Sequence, residues 1–513
     1  MSLLTCENLF FGYQNERLFE GTNMRFFEGE HTVLVGPNGS GKSTLLKLLN
    51  QEMKPDRGVI QWQNQKRIGY LDQYKQLDQN QYVKTYLYEV YQSLFDLEER
   101  MNYLYETSVN LSEKDAQNAM QKAANIGEKL TDSGFYDIKA NVGKIMTGLG
   151  LSPSLLEKPI KELSEGMKAK IILSKLLLEE ADILLLDEPT NFLDVKHIEW
   201  LTKFLNNYDK AFIVVSHHVA FLKAIAKTVF AIENKGITRY KGDYDYYLKE
   251  RELRFEQQEK AFKKQQMFIA KTEDFIQKNI TRAKTSKRAQ SRRKMLKKLT
   301  RIEAPKNDQT YQFNFPFSKP TGREVLKLKN LEIGYDTSLI EPLDLMIRRG
   351  EKVVITGKNG IGKSTLIKTL MAHKEPLCGN YRWIDTAKIA YFAQESHLDD
   401  SKTPFDTVHD YYPYFTKKDV MDLLAQHGLD YAMAHRALNT LSGGENAKVR
   451  LALLKYQKGN VLILDEPTNH LDYQAKKALK KALNSYQGTM ILVSHEVAFY
   501  QDICDYEIEL FAD

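Results

Sequence analysis

Val35-Gly36-Pro37-Asn38-Gly39-Ser40-Gly41-Lys42-Ser43-Thr44 recurs 321 residues later as Thr356-Gly357-Lys358-Asn359-Gly360-Ile361-Gly362-Lys363-Ser364-Thr365. Both runs fit G-x-x-x-x-G-K-[ST]. Glycines in such a loop let backbone N–H groups close around phosphate, and the helix that starts there turns its positive end to the same anion. In this pattern Lys42 and Lys363 reach the β and γ phosphates of ATP, and Ser43 and Ser364 ligate Mg²⁺. An apolar strand runs into each loop, and Ile183-Leu184-Leu185-Leu186 and Val461-Leu462-Ile463-Leu464 read as further buried parallel strands. The expected fold is α/β, with one P-loop nucleotide-binding unit present twice.

Outward from the loops the copies stay in register and then lose it. Gly69-Tyr70-Leu71-Asp72-Gln73 matches Ala390-Tyr391-Phe392-Ala393-Gln394 at the same offset of 321. Leu186-Asp187-Glu188-Pro189-Thr190-Asn191 matches Leu464-Asp465-Glu466-Pro467-Thr468-Asn469 at only 278, so the first copy carries 43 more residues, between Gln73 and Leu163. There Leu87, Val90, Leu94, Leu97, Met101 and Leu104 keep the spacing of a helix seam, a second helical stretch covers Ala116 to Leu130, and Asn110 and Ser112 supply turn and cap. A helical arm over about 82–132 is expected; an enlarged helical subdomain is the other reading. Between the copies, Leu248, Phe255, Phe262, Ile269 and Ile276 recur every seven residues and predict one long solvated helix. A turn at Thr281 to Thr285 and a second helix from Ser286 to Glu303, ended by Ala304-Pro305, would complete a hairpin. The expected division is 1–240 for the first nucleotide-binding domain, 241–305 for the hairpin and 306–513 for the second.

The chain has 513 residues, 42% apolar and 27% charged, with no run near the roughly 18 apolar residues of a membrane helix. Its first residues lack the pattern of a secretory signal, and three scattered cysteines, Cys6, Cys378 and Cys504, suit neither a disulfide framework nor a paired zinc site. A cytoplasmic protein is expected. The net charge of +6 is local: Arg282, Lys284, Lys287, Arg288, Arg292, Arg293, Lys294, Lys297, Lys298 and Arg301 give ten cations and no acid over twenty residues, leaving the rest at −4. That concentration reads as a surface for RNA phosphates; a solvated charged face is the bland alternative, and charge alone does not separate RNA from DNA.

Asp187 and Asp465 end buried strands, where a carboxylate holds the Mg²⁺ shell, and Glu188 and Glu466 are placed to polarise the attacking water. His217 and His495 follow apolar strands at the matching offset and are read as γ-phosphate sensors. Tyr13 and Tyr335, in Phe11-Gly12-Tyr13 and Ile333-Gly334-Tyr335, are candidates to stack on adenine, against the alternative of core tyrosines. Leu163-Ser164-Glu165-Gly166-Met167 and Leu441-Ser442-Gly443-Gly444-Glu445 each precede a helix and offer a second phosphate-binding end.

Glycine loop, Gln, Leu-Ser-x-Gly, Asp-Glu and His in this order resemble an ATP-binding cassette ATPase in both copies. Glu188-Pro189-Thr190-Asn191-Phe192-Leu193-Asp194, Glu466-Pro467-Thr468-Asn469-His470-Leu471-Asp472 and the basic linker resemble its F subfamily. That resemblance implies two cassettes closing head to tail on two Mg²⁺-ATP molecules, with Gln73 and Gln394 joining the catalytic and metal-binding residues. Lys42 and Glu188 would face Ser442, Gly443 and Gly444, while Lys363 and Glu466 would face Ser164 and Gly166. Glu165 at a usual glycine position and Phe192 at a usual histidine depart from the family and predict slower hydrolysis at the second composite site.

The resemblance further implies a monomeric translation ATPase on the 70S ribosome. Its linker would reach P-site tRNA and rRNA at the peptidyl-transferase centre, and its arm would lie near the exit-tRNA site. The leading reading is a factor that relieves stalling. Displacement of antibiotics, the ATPase subunit of a membrane exporter and a DNA-associated ATPase are the alternatives; the short linker tip favours a general factor, and the basic hairpin speaks against the exporter.

Overall fold

A computed structural model describes residues 2–13, 16–72, 77–279, 286–302, 311–335, 337–358, 360–393, 398–469 and 471–511. Two α/β units are present. In the first, a six-stranded sheet runs in the order Ile68–Leu71, Ile183–Asp187, Ala211–Val215, His31–Val35, Thr228–Glu233, Gly236–Lys241, parallel except for the last strand. In the second, five parallel strands follow the order Ile389–Phe392, Val461–Asp465, Thr489–Val493, Lys352–Thr356, Tyr506–Glu509. These strands are apolar on both faces because both faces are covered, as parallel sheets require.

Each unit adds a three-stranded antiparallel sheet, Glu16–Phe27, Ser2–Tyr13, Arg57–Trp62 in the first and Leu343–Arg348, Glu324–Glu332, Cys378–Trp383 in the second. The helix after each glycine loop, Lys42–Leu49 or Lys363–Leu370, is clamped between the two sheets. Leu45, Leu46, Leu48 and Leu49 share one core with Phe19 and Phe26 on one side and Ile183, Leu185 and Ile213 on the other. Burial of about 1.5–3 kcal/mol per such side chain holds the helix start still beneath the loop. Gly41 and Gly362 precede these helices at φ 93° and 110°, a left-handed backbone that a side chain would strain.

The residues that the first copy has in excess fold into helices Gln92–Ser108 and Glu113–Asp132, with the Ser112 hydroxyl capping the second by accepting from the Asp115 amide. The expected single seam is broken: Leu87 belongs to helix Val83–Tyr88, and a 3₁₀ turn at Glu89–Tyr91 redirects the chain before the arm. Between the units runs helix Tyr244–Asn279, 36 residues and therefore about 54 Å long. Its heptad residues Leu248, Phe255, Phe262, Ile269 and Ile276 are all at least partly covered, and Ala289 of helix Ser286–Lys298 is fully buried. This second helix stops at Lys298, short of the expected Glu303. Gln265 of the long helix takes over the backbone there, donating to the Thr300 carbonyl at 2.9 Å and accepting from the Ile302 amide at 2.8 Å. The expected turn at Thr281 to Thr285 and the stop at Ala304-Pro305 lie outside the described residues.

Candidate functional site

Both loop lysines fold back on their own loops. Lys42 Nζ donates to the carbonyls of Gly36 at 2.9 Å and Pro37 at 3.1 Å, and Lys363 Nζ to those of Gly357 at 2.8 Å and Lys358 at 3.0 Å. Burial lowers the pKa of each, with nearby Glu188 and Glu466 pulling the other way. Gly36, Pro37, Gly39, Ser40 and Lys42 line a cleft of about 500 Å³, large enough for a nucleoside triphosphate. Gly357, Gly360, Ile361, Gly362, Ser364 and Thr365 form the same loop and helix start in the second unit, as Asn38, Gly41, Ser43 and Thr44 do in the first.

Beneath each loop, strands Ile183–Asp187 and Val461–Asp465 deliver an acidic pair. Asp187 is hydrogen-bonded to Ser43 and Asp465 to Ser364. Burial raises both carboxyls, Asp465 to about 6 with the charge of Glu466 adding to the effect. Asp465 Oδ1 is buried without a hydrogen-bond partner among the described residues, which suits a cation's hydration shell. Among the described residues no three His, Cys, Asp or Glu side chains are grouped to hold a metal by themselves. A serine hydroxyl beside one carboxylate in each unit fits Mg²⁺, which keeps waters and phosphate oxygens among its ligands.

Glu188 and Glu466 both stand at φ 48°, a left-handed conformation that non-glycine residues adopt at a cost, and one often retained at functional sites. Burial, then the charge of Asp187, pushes the Glu188 carboxyl up to about 7. Its Oε2 accepts from the His217 amide at 3.1 Å, and the His217 ring lies 3.3 Å from Oε1. Opposite Glu466, His495 Nδ1 is 3.0 Å from Oε2. Burial opposes charge on His495, but the hydrogen bond and charge of Glu466 prevail and raise its pKa. Each unit thus carries a carboxylate able to accept a proton beside an imidazole that fixes its orientation.

The two units meet head to tail. Glu445, in the helix that follows Ser442, comes within 3.3 Å of where a Cβ on Gly39 would sit, and Asp472 shares the cleft with Lys42. Lys476 reaches the His217 carbonyl at 3.5 Å and pairs with Glu496 at 2.6 Å. Asp194 of the first unit acts electrostatically on Lys363 of the second. Ser164 and Ser442 cap the helices Glu165–Leu178 and Gly443–Leu454, each accepting from the amide three residues on. Ser164 and Ser442 are both exposed, as are Glu165 and Gly443, but Gly444 and Glu445 are buried where the matching Gly166 is half-buried and Met167 exposed, and Glu165 pairs with Lys168 at 2.8 Å. The two signatures therefore differ in structure as well as in sequence, and Phe192 packs beside Gly166.

Tyr13 and Tyr335 are exposed: the Tyr13 hydroxyl points to Met53 Sδ at 3.8 Å, and Lys374 sits 3.1 Å from the centroid of the Tyr335 ring. The cleft is walled by Tyr240, Tyr244 and Tyr247 instead. Gln73, Gln394, Asn359, Arg282 and Lys284 lie outside the described residues. Sequence reasoning missed Asp472, Lys448 and Tyr311. The Asp472 carboxylate caps helix Tyr473–Ser485 as Asp194 caps Val195–Asn206, a matched N-cap pattern visible in the repeat.

Of the basic run, Lys287, Arg288, Arg292, Arg293, Lys294, Lys297, Lys298 and Arg301 are described, and all are exposed. Arg292 lies over the Phe275 ring at 3.9 Å. Among the described residues none of these eight meets a carboxylate.

A family model described as ABC transporter matches residues 19–191 and 340–469, and a second of the same description matches 230–315. The chain is 39% identical over 503 residues to the uncharacterized ABC transporter ATP-binding protein YfmM of Bacillus subtilis, covering 98% of this chain and 97% of that one. It is 32% identical over 515 residues to ABC transporter F family member 5 of Arabidopsis thaliana, covering 98% and 74%. Among solved structures, a complex of an archaeal ribosomal stalk protein with the ribosome recycling factor aABCE1 matches with TM-score 0.58 at 18% identity, covering 99% of this chain and 88% of that chain. The RNase-L Inhibitor matches with TM-score 0.59, at the same identity and coverage. No helix among the described residues is long and apolar enough to cross a membrane.

Proposed function

This chain belongs to the F subfamily of the ATP-binding cassette proteins and hydrolyses ATP, and from that premise we propose that it is a cytoplasmic translation ATPase that acts on the ribosome. ATP draws the two cassettes together, the closed form binds the 70S ribosome with its linker against P-site tRNA and rRNA, and hydrolysis releases it to relieve stalling. The observation that carries this reading is the row of eight exposed cations that meet no carboxylate among the described residues, held off the cassettes by a 36-residue helix. A helix of that charge finds its counterions in nucleic-acid phosphates. Six residues separate helices Tyr244–Asn279 and Ser286–Lys298, a short tip that supports a general factor over one reaching further into a drug site. The solved relatives of similar fold include a ribosome recycling factor and a ribosome-bound assembly with Pelota, which supports the same direction.

Within each site the proposed roles follow from position. Ser43 with Asp187, and Ser364 with Asp465, would hold Mg²⁺, whose charge when bound stabilises the phosphate oxygens. Lys42 and Lys363 exchange their loop carbonyls for phosphate. Glu188 and Glu466 accept the proton of the attacking water at a side-chain oxygen, and His217 and His495 hold those carboxylates in place.

The test is sedimentation of the Glu188→Gln, Glu466→Gln double variant with 70S ribosomes. Pelleting that requires ATP, and is lost when Lys287, Arg288, Arg292, Arg293, Lys294 and Lys297 become Gln, is the expected result. Absence of pelleting in both nucleotide states would overturn the proposal and redirect the search to membrane or DNA partners.

A further inference from the structure

We propose that Tyr311, on the irregular segment by which the linker returns to the second cassette, is a positioning residue that ties the linker to the first composite ATP site and not to the second. Its hydroxyl donates to Asp472 Oδ2 at 2.7 Å, and Lys448 Nζ joins both, 3.0 Å from the hydroxyl and 3.4 Å from the carboxylate. Lys448 is buried, so this three-way contact sits in a low-dielectric setting where each partner matters. The other oxygen, Asp472 Oδ1, caps its helix by accepting from the Ala475 amide at 2.8 Å.

The location gives this contact its consequence. Tyr311 and Asp472 line the same cleft as Gly36 and Lys42 of the first cassette, and so do Tyr244 and Arg251 at the start of the long linker helix. Both ends of the linker therefore open onto one nucleotide site. Phe313 stacks beside Tyr311, and the Gln312 amide donates to the Gln426 carbonyl at 2.8 Å, so the return segment is bound to the second cassette and moves with it.

The repeat supplies the control. Asp194, the counterpart of Asp472, acts on Lys363 of the second site as Asp472 acts on Lys42 of the first. It is held by its own helix, with His197 Nδ1 2.6 Å from its Oδ1. Position 475, the match of His197, is alanine. The second cassette has replaced a local holder with one that comes from the linker. Held on Tyr311 and Lys448, the Asp472 carboxylate makes no hydrogen bond to Lys42 among the described residues and acts on it by charge alone, while Lys42 Nζ rests on its loop carbonyls. Released from the hydroxyl, it turns towards Lys42 and competes with the nucleotide.

This inference rests on the assignment of Lys42 and Glu188 to the first ATP site. The experiment measures steady-state ATP turnover of the full chain in two single-site backgrounds, Glu466→Gln for the first site and Glu188→Gln for the second. Tyr311→Phe keeps the ring and its stacking. In the Glu466→Gln background it should raise KM for ATP about tenfold with kcat within about twofold, the scale of one hydrogen bond to a charged group. In the Glu188→Gln background KM should not change. With Asp472→Asn also present, which keeps the helix cap but removes the charge, Tyr311→Phe should add nothing. Equal KM increases in both backgrounds, no increase in the first, or additivity with Asp472→Asn would overturn the proposal. Lys42→Ala in the Glu466→Gln background should abolish turnover; retained turnover would overturn the site assignment itself, separately from Tyr311.

Discussion

Glu188→Gln should stabilise the nucleotide-free protein, and the gain should grow with pH. Burial holds the Glu188 carboxyl at about 7 in the folded chain, against 4.5 for the free side chain. A folded pKa above the unfolded one means that the group's contribution is fully present below about 4.5 and is lost as pH rises through about 7. By linkage the charged carboxylate then costs the fold about 3 kcal/mol at pH 8 and about 1 kcal/mol at pH 5, a value that already contains the pull of Lys42 and the His217 amide. Gln is neutral throughout and still accepts from that amide. Calorimetric unfolding in EDTA without nucleotide should therefore show the Tm advantage of Glu188→Gln widening by roughly 5–10 °C between pH 5 and pH 8. A Tm difference of the same size at both pH values, or a lower Tm for the variant at pH 8, would refute the reasoning.

Three further outcomes are expected. Gly41→Ala places a Cβ 3.2 Å from Phe19 at φ 93°, so it should lower stability by about 1–2 kcal/mol in denaturant titration and weaken ATP binding in equilibrium titration. Replacing Lys287, Arg288, Arg292 and Arg293 by Gln should reduce the salt slope of single-stranded RNA binding by about 3, measured as log K against log salt; an unchanged slope would remove these cations from the contact. Glu165→Gly should speed ATP turnover in the Glu188→Gln background, where the second site alone is active, and unchanged turnover there would mean that the exposed carboxylate on Lys168 stays clear of the phosphates.

What was legible in the sequence was whatever depends on short-range spacing. The glycine loops, the acids at strand ends and the heptads of the long helix each report a local backbone geometry, and the repeat doubled the signal by showing each twice. The helix end at Lys298 was not legible because Gln265, 35 residues away, satisfies the Thr300 carbonyl and competes with continued helix. The left-handed backbone at Glu188 and Glu466 was likewise hidden, since no glycine marks it. Tyr311 was one tyrosine among 28, and its partner Asp472 lies 161 residues further on. Long-range contacts of this kind carry no periodicity.

The differences between the two copies bear on mechanism more than their shared motifs do. Duplication supplies two equal sites, and the linker joins them in series, yet the first site receives Glu445 beside Gly39 and Asp472 held by the linker's return segment. The second receives an exposed Glu165 and an Asp194 held within its own helix by His197. Among the described residues, Tyr244, Arg251 and Tyr311 of the linker line the cleft of the first site, and a conformational state is shifted only by a differential interaction with it. By reciprocity, nucleotide at the first site is the one able to bias the linker. On the role proposed for Tyr311, nucleotide at the first site is the one coupled to the hairpin, and the pair of single-site backgrounds tests that coupling site by site.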